Sequence, residues 1–363
     1  MNVRKNIAWA SWLIMLSALL ILSGCTRTAG EVKQTEQSAY DQQWQTALPQ
    51  DHGFDSAKLD EIFEDIKNRP IYSAVVVKDG YIVGEYYKEN NPGKVYPVNS
   101  VTKSITSILI GIAIDQGKIE SIDKPIFDYY PELAAQETDP LKKSITIAHL
   151  LSMTSGFDWP EWTPEWNYFV YPMFNAPDWS TFVLQREMAS APGERFNYNT
   201  GGSQILASIL KMATGKSEAD FGKEVLFEPL GITRELDWPS SPDGSNSGGF
   251  GLQMTAREQA KLGYLYLQGG KWENKQIVPE QWVEKSTSIH SDGSPPFGTY
   301  GYHWWVGSHE GESYFHAMGY AGQYIFVAPE SNLVVVFSSQ SPNNSAMPIP
   351  IFTKMLDAIE RSA

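Results

Sequence analysis

Pro97-Val98-Asn99-Ser100-Val101-Thr102-Lys103-Ser104-Ile105 is the stretch on which the reading of this chain turns. Pro97-Val98-Asn99 is a helix-start signal, and Ile105, Ile108, Leu109 and Ile112 recur at helical spacing until Gln116-Gly117 ends the run. Ser100 therefore falls in the first turn, where unpaired backbone N–H groups and the positive end of the helix dipole favour developing negative charge. Lys103, three residues on, lies on the same face, so its amine and the Ser100 hydroxyl can share a hydrogen bond. A nucleophile and its base built from one helical turn point to a serine acyl enzyme.

The Ser-x-x-Lys spacing recurs at Ser121 with Lys124 and at Ser208 with Lys211. Ser121 sits just before Lys124-Pro125, in a turn-like stretch that resists helix. Ser208 lies mid-helix among Leu206, Ile209 and Leu210, away from free backbone donors. Context selects Ser100.

At the N-terminus, Arg4 and Lys5 precede an apolar stretch from Ile7 to Leu22, with no acidic residue before Glu31. This reads as an export signal. The apolar stretch is shorter than the roughly 20 residues a spanning helix needs. Leu22-Ser23-Gly24-Cys25 resembles a bacterial lipoprotein cleavage box, which implies that Cys25 becomes a lipid-bearing N-terminus. The expected plan is a signal peptide over 1–24, a polar tether over 25–50 and one domain over 51–361. The chain would then be held on the extracytoplasmic face of the cell membrane by a lipid alone. Cys25 is the only cysteine, so the mature fold has no internal disulfide.

The net charge of -14 argues against nucleic acid and against binding an acidic surface. There is no His-Glu-x-x-His, Cys/His cluster, phosphate-binding Gly-rich loop or Gly-x-Ser-x-Gly elbow. No metal, cofactor or protein partner is implied, and a small-molecule substrate is expected.

Ser56 with Leu59, Ile62, Phe63 and Ile66 reads as a capped amphipathic helix. A hairpin follows, Ser73 to Val77 and Tyr81 to Tyr87, joined at Asp79-Gly80. Tyr300 to Val306, Ser313 to Met318, Tyr324 to Ala328 and Leu333 to Ser338 read as antiparallel strands, and Met347 to Ile359 as a closing helix. Between them lie Ser203 to Ala213 and the capping box Thr255-Ala256-Arg257-Glu258. The order predicts an α+β fold: a central antiparallel sheet of about five strands from both chain ends, flanked by helices, with an inserted helical lobe. The sheet lobe is expected over 51–118 and 295–361 and the helical lobe over 119–294, with the Ser100 helix at the seam.

With Ser100-Val101-Thr102-Lys103 in hand, four further segments resemble the class C β-lactamase superfamily of penicillin-binding proteins, peptidases, esterases and nylon-oligomer (6-aminohexanoate-dimer) hydrolases. They are Ile145-Thr146-Ile147-Ala148-His149-Leu150-Leu151-Ser152-Met153-Thr154-Ser155-Gly156, Pro192-Gly193-Glu194-Arg195-Phe196-Asn197-Tyr198-Asn199-Thr200, Gly249-Phe250-Gly251-Leu252-Gln253-Met254-Thr255 and His316-Ala317-Met318-Gly319-Tyr320-Ala321-Gly322-Gln323. The motifs lean towards the nylon-hydrolase-like and esterase branch. The resemblance implies a β-lactamase or DD-peptidase-like fold and a third catalytic partner, Tyr198, beside Ser100 and Lys103. Either the amine or a phenolate can serve as the resting base. The oxyanion would be held by the Ser100 N–H and by a second donor near Gly319. Asn199, Thr200 and His316 are the remaining candidate substrate contacts. His316 would replace the Lys of the family's Lys-Thr-Gly motif, Thr200 the Asn of its Tyr-x-Asn motif, and Met318 a Gly, all of which disfavour β-lactam turnover.

The aromatic stretch from Phe157 to Trp179, punctuated by four prolines, reads as a long loop whose rings either pack it onto the helical lobe or wall an apolar acyl pocket, Trp162 and Trp166 above all in the second case. His149 is expected to be structural, and His303 to cap an aromatic patch. The first functional reading is a serine hydrolase that acts through an acyl-Ser100 intermediate on an ester or small amide. A D-alanyl carboxypeptidase or weak β-lactamase is the second, and a penicillin-binding sensor or silent scaffold the third.

Overall fold

Leu333-Val334-Val335-Val336-Phe337 shows no polar alternation, which calls for a strand covered on both faces. The computed structural model describes residues 44–163 and 169–360 and places this run at the heart of an eight-stranded sheet. Its strands are β1 (Ile71–Lys78), β2 (Tyr81–Tyr87), β3 (Ser291–Ser294), β4 (Gly298–Tyr300), β5 (Trp305–His309), β6 (Glu312–Gly319), β7 (Gln323–Ala328) and β8 (Leu333–Ser339). All neighbours are antiparallel, in the order β2-β1-β8-β7-β6-β5-β4-β3. Both chain ends thus meet in one sheet, with Val75 opposite Val336. The α+β class holds, but the sheet is wider than the five or so strands expected, because residues 291–300 add a hairpin. The single strand expected over Tyr300 to Val306 is also two strands. His303 adopts φ 61 between them, and its N–H donates to Leu151 O at 2.9 Å, which pins the reversal to the helical block.

The helices around the sheet are α1 (Ser56–Lys67), α2 (Val101–Asp115), α3 (Ile147–Leu151), α4 (Thr200–Thr214), α5 (Glu218–Gly222), α6 (Ala256–Leu267) and α7 (Pro348–Asp357). The two-residue period of the strands sorts the core into two clusters. Val76, Phe326, Val335 and Phe337 face α1 and α7, while Val75, Ile325, Val334 and Val336 face α2 and α6. Gly263 lets α6 lie close on the sheet, since a Cβ there would stand 2.6 Å from Val334 and 2.8 Å from Ile325. So α6, within the 119–294 span assigned to the helical lobe, is a sheet-covering helix. Every residue of α2 from Val101 to Ala113 is buried. Such a helix is held between layers, and α2 lies between the sheet and α4. Its start, where Ser100 stands, opens at the junction of the two.

Cys25, the expected signal segment and Trp166 lie outside the described residues. Among the described residues no helix is long and apolar enough to cross a membrane.

Candidate active site

Three separate segments converge at the start of α2. Asn99, with φ 50, turns the chain into the helix, a conformation that Asn tolerates better than most residues. Its Nδ2 donates to Tyr320 O at 2.8 Å, which laces this turn to the β6–β7 connection. Gly319 makes the close approach feasible, because a Cβ there would stand 2.3 Å from Val98 O. Ser100 occupies the N-cap position and stays partly exposed, whereas Val101 behind it is buried.

Lys103 points back along the helix into an enclosed polar site. Its Nζ lies 3.1 Å from Ser100 Oγ, 2.9 Å from Thr200 Oγ1 and 2.8 Å from Gly249 O. Gly249 has no room for a side chain, since a Cβ would stand 2.8 Å from Thr200 Cγ2 and 3.2 Å from Lys103 Nζ. Burial pushes the Lys103 ammonium down to about 8, against a smaller upward pull from Glu161. Tyr198 is buried beside it, and Lys103 Nζ lies 4.9 Å from the centre of the phenol ring. Burial first, then the Glu161 charge, raise the Tyr198 pKa well above its ordinary value, while the contact with Ser100 acts the other way. Of the two candidate bases, the amine is the one brought towards neutrality.

Glu161 is the site residue that the sequence reading missed. Its Oε1 accepts from Thr200 Oγ1 at 2.5 Å, and its Oε2 accepts from Thr200 N at 2.6 Å and Trp159 Nε1 at 2.8 Å. Lys103, Thr200 and Glu161 thus form one hydrogen-bonded chain. In the sequence Glu161 is one of four acidic residues of the aromatic and proline-rich stretch, with Asp158, Glu165 and Asp178, and nothing local singles it out. The next residue, Trp162, is half exposed and stacks on Tyr198 with ring centres 4.8 Å apart and planes at 17°. Trp159 and Phe157, by contrast, are packed into the core. Among the described residues of the aromatic stretch, Phe157 and Trp159 thus belong to the core, Tyr171 is exposed, and the Trp162 indole lies over the Tyr198 phenol.

Other expected contacts fall elsewhere. Asn199 is the N-cap of α4, its Oδ1 accepting from Gly202 N at 2.9 Å, so its carboxamide oxygen is committed to the helix. Thr200 Oγ1 is already held between Lys103 and Glu161. The placement of His316 at a substrate-facing strand position is corrected. The ring is fully buried on the α1 and α7 face of β6, packed among Trp305, Tyr314, Tyr324 and Phe326. Ala317 takes the face towards α2 instead, because side chains alternate along a strand. Trp305 stands between His316 and the site, 6.4 Å from the imidazole and 6.2 Å from the Tyr198 ring. Burial pushes the His316 pKa down to about 3, so the ring carries no charge at neutral pH. His149 is structural through its acceptor rather than as a donor, with Thr146 N giving to Nδ1 at 3.1 Å. His303 ties α2 and α4 together, its O accepting from Ser104 Oγ at 2.7 Å and its Nε2 lying 3.1 Å from Ser203 Oγ.

A Ser–Lys pair at a helix start, a buried tyrosine beside it and a strand end against the Ser100 turn form one arrangement. Family comparison agrees with it: the beta-lactamase family profile matches residues 59–357. The chain belongs to the beta-lactamase family. Within it, the chain is 25% identical over 293 residues to the 6-aminohexanoate-dimer hydrolase of Paenarthrobacter ureafaciens, covering 74% of this chain and 72% of that one. It is 26% identical over 210 residues to esterase EstB of Burkholderia gladioli, covering 52% and 53%. The solved penicillin-binding protein of Bacillus halodurans shares the fold, with a TM-score of 0.61 at 22% identity over 83% of this chain and 99% of that one. As a beta-lactamase-family member with hydrolase and esterase relatives, this chain is a hydrolase of the beta-lactamase fold.

Proposed function

We propose that the protein is a serine hydrolase that acts through an acyl-Ser100 intermediate on esters or small amides with an apolar acyl group. The observation that carries this reading is the 3.1 Å approach of Lys103 Nζ to Ser100 Oγ at the open end of α2. In acylation, Ser100 Oγ bonds to the substrate carbonyl carbon and its proton passes to neutral Lys103. The carbonyl π pair moves onto oxygen, where the Ser100 N–H and the turn just past Gly319 offer donors. Collapse expels the alkoxide or amine, which takes its proton by way of Tyr198. Water then repeats the sequence on the ester and frees Ser100. Tyr198, neutral because its pKa is raised, suits a relay better than a resting base.

The apolar preference is supported by Trp162 and by the aromatic rings of Phe196, Phe297 and Trp305 beside it. Strand β6 offers a substrate carboxylate no cation, as its only basic side chain, His316, is enclosed and neutral. That weighs against the carboxypeptidase and β-lactamase readings. The test is hydrolysis of p-nitrophenyl butyrate by the wild type beside Ser100→Ala. Turnover by the wild type with loss in the variant is expected, and equal rates would remove Ser100 as the nucleophile.

A further inference from the structure

Neutral Lys103 carries two N–H bonds and one lone pair, and its nitrogen has three neighbours. Gly249 O can only accept a hydrogen bond. The Thr200 hydroxyl can donate or accept. Glu161 removes that choice, because a carboxylate only accepts and its Oε1 stands 2.5 Å from Thr200 Oγ1. The Thr200 proton is committed to Glu161, so Thr200 must accept from Lys103. Both N–H bonds of Lys103 are then directed to Thr200 and Gly249, and the lone pair that remains faces Ser100.

We infer that Glu161 is a positioning residue of this site: acting through the Thr200 hydroxyl, it aims the lone pair of Lys103 at Ser100 Oγ and so sets the direction in which the serine proton moves. The inference rests on the serine hydrolase reading and deepens it. Without the carboxylate, Thr200 is free to donate into Lys103, which turns the lone pair away from the nucleophile. Glu161 is itself well held. Two of its three donors belong to Thr200, the first residue of α4, where the helix dipole favours a negative charge. After proton transfer the third N–H of the ammonium points to the former serine oxygen, with the negative charge of Glu161 one hydroxyl away.

The experiment measures phosphonylation of Ser100 by a fluorophosphonate as a function of pH, beside p-nitrophenyl butyrate hydrolysis. The probe needs an activated serine and no knowledge of the natural substrate. Phosphonylation joins Ser100 oxygen to phosphorus, expels fluoride and gives the serine proton to Lys103. Glu161→Gln and Thr200→Val should each slow labelling by about 10- to 100-fold, up to the low end of a full general-base contribution, since Lys103 itself is kept. The double variant should be no slower than the worse single, as for residues acting in one chain. Thr200→Asn should come within about fivefold of wild type, because its carboxamide oxygen can accept from Lys103 while its NH₂ donates to Glu161.

Among the described residues, Glu161, Tyr198 and His303 are the titratable groups facing Lys103, and burial pushes His303 down to about 3, so it stays neutral. In Glu161→Gln the acid limb of the profile should therefore move to lower pH, because the charge that favours the ammonium is gone. A merely structural role would lower the rate without moving the limb, and would leave Thr200→Asn as slow as Thr200→Val. Either result overturns the inference, as does labelling of Glu161→Gln at the wild-type rate. A wild type that is neither labelled nor hydrolytic overturns the hydrolase reading, and this inference with it.

Discussion

Lys103 and His316 are both bases shut away from solvent, yet they live in opposite surroundings. Lys103 sits among three oxygen atoms within 3.1 Å. Both nitrogens of His316 lack a hydrogen-bond partner among the described residues, and aromatic rings enclose it. Burial lowers both pKa values, to about 8 and about 3. The same physical cause has different consequences because the starting points differ. It brings an amine within reach of neutrality, and it takes an imidazole below any working pH. Enclosure makes a base useful only when a reacting atom and fixed acceptors are enclosed with it.

The largest effect should come from Lys103→Met, which removes the proton acceptor and keeps most of the volume. A fall in kcat/KM of about 10³-fold or more is expected, measured on p-nitrophenyl butyrate. A loss below about tenfold would put another base at Ser100. In the wild type, kcat/KM should rise with pH and level off above about 8. The sign follows from the base being the neutral form, so acidification protonates it and activity falls. A profile that keeps climbing towards the ordinary lysine range would contradict the effect of burial.

Trp162→Ala should have an intermediate effect. It uncovers Tyr198 and removes an apolar wall, so longer acyl chains should lose about three- to tenfold more kcat/KM than acetyl esters. An unchanged chain-length profile would reduce Trp162 to a packing residue. The smallest effect is expected from His316→Leu. Activity should stay within about threefold and the melting temperature should not fall, because no hydrogen bond is lost and an unpaired buried polar group is removed. A large loss of activity would return His316 to the site and break the comparison with Lys103.

The Ser100–Lys103 pair was legible because both residues lie on one turn of one helix, where spacing alone sets geometry. The hairpin at Asp79-Gly80 and the capping box of α6 were legible for the same reason, since their partners are a few residues apart, whereas the cap of α1 is Asp55, one residue before the expected Ser56. His316 was misplaced by one residue of strand register, an error that local composition cannot correct because β6 is buried on both faces. The reversal at His303 was hidden too, as its cause is a hydrogen bond to Leu151, far away along the chain. Glu161 escaped notice because its partner Thr200 is 39 residues distant and the intervening segment reads as an aromatic wall.

By itself the sequence determined the pairing of Ser100 with Lys103 and the α+β architecture, because these rest on short-range periodicity and capping. The tyrosine came from motif order. Only the tertiary structure decided which face of β6 meets α2, which indole covers Tyr198, and that Glu161 reaches Thr200. Those outcomes depend on how distant segments pack, and packing sets both the burial that tunes Lys103 and the acceptors that orient it.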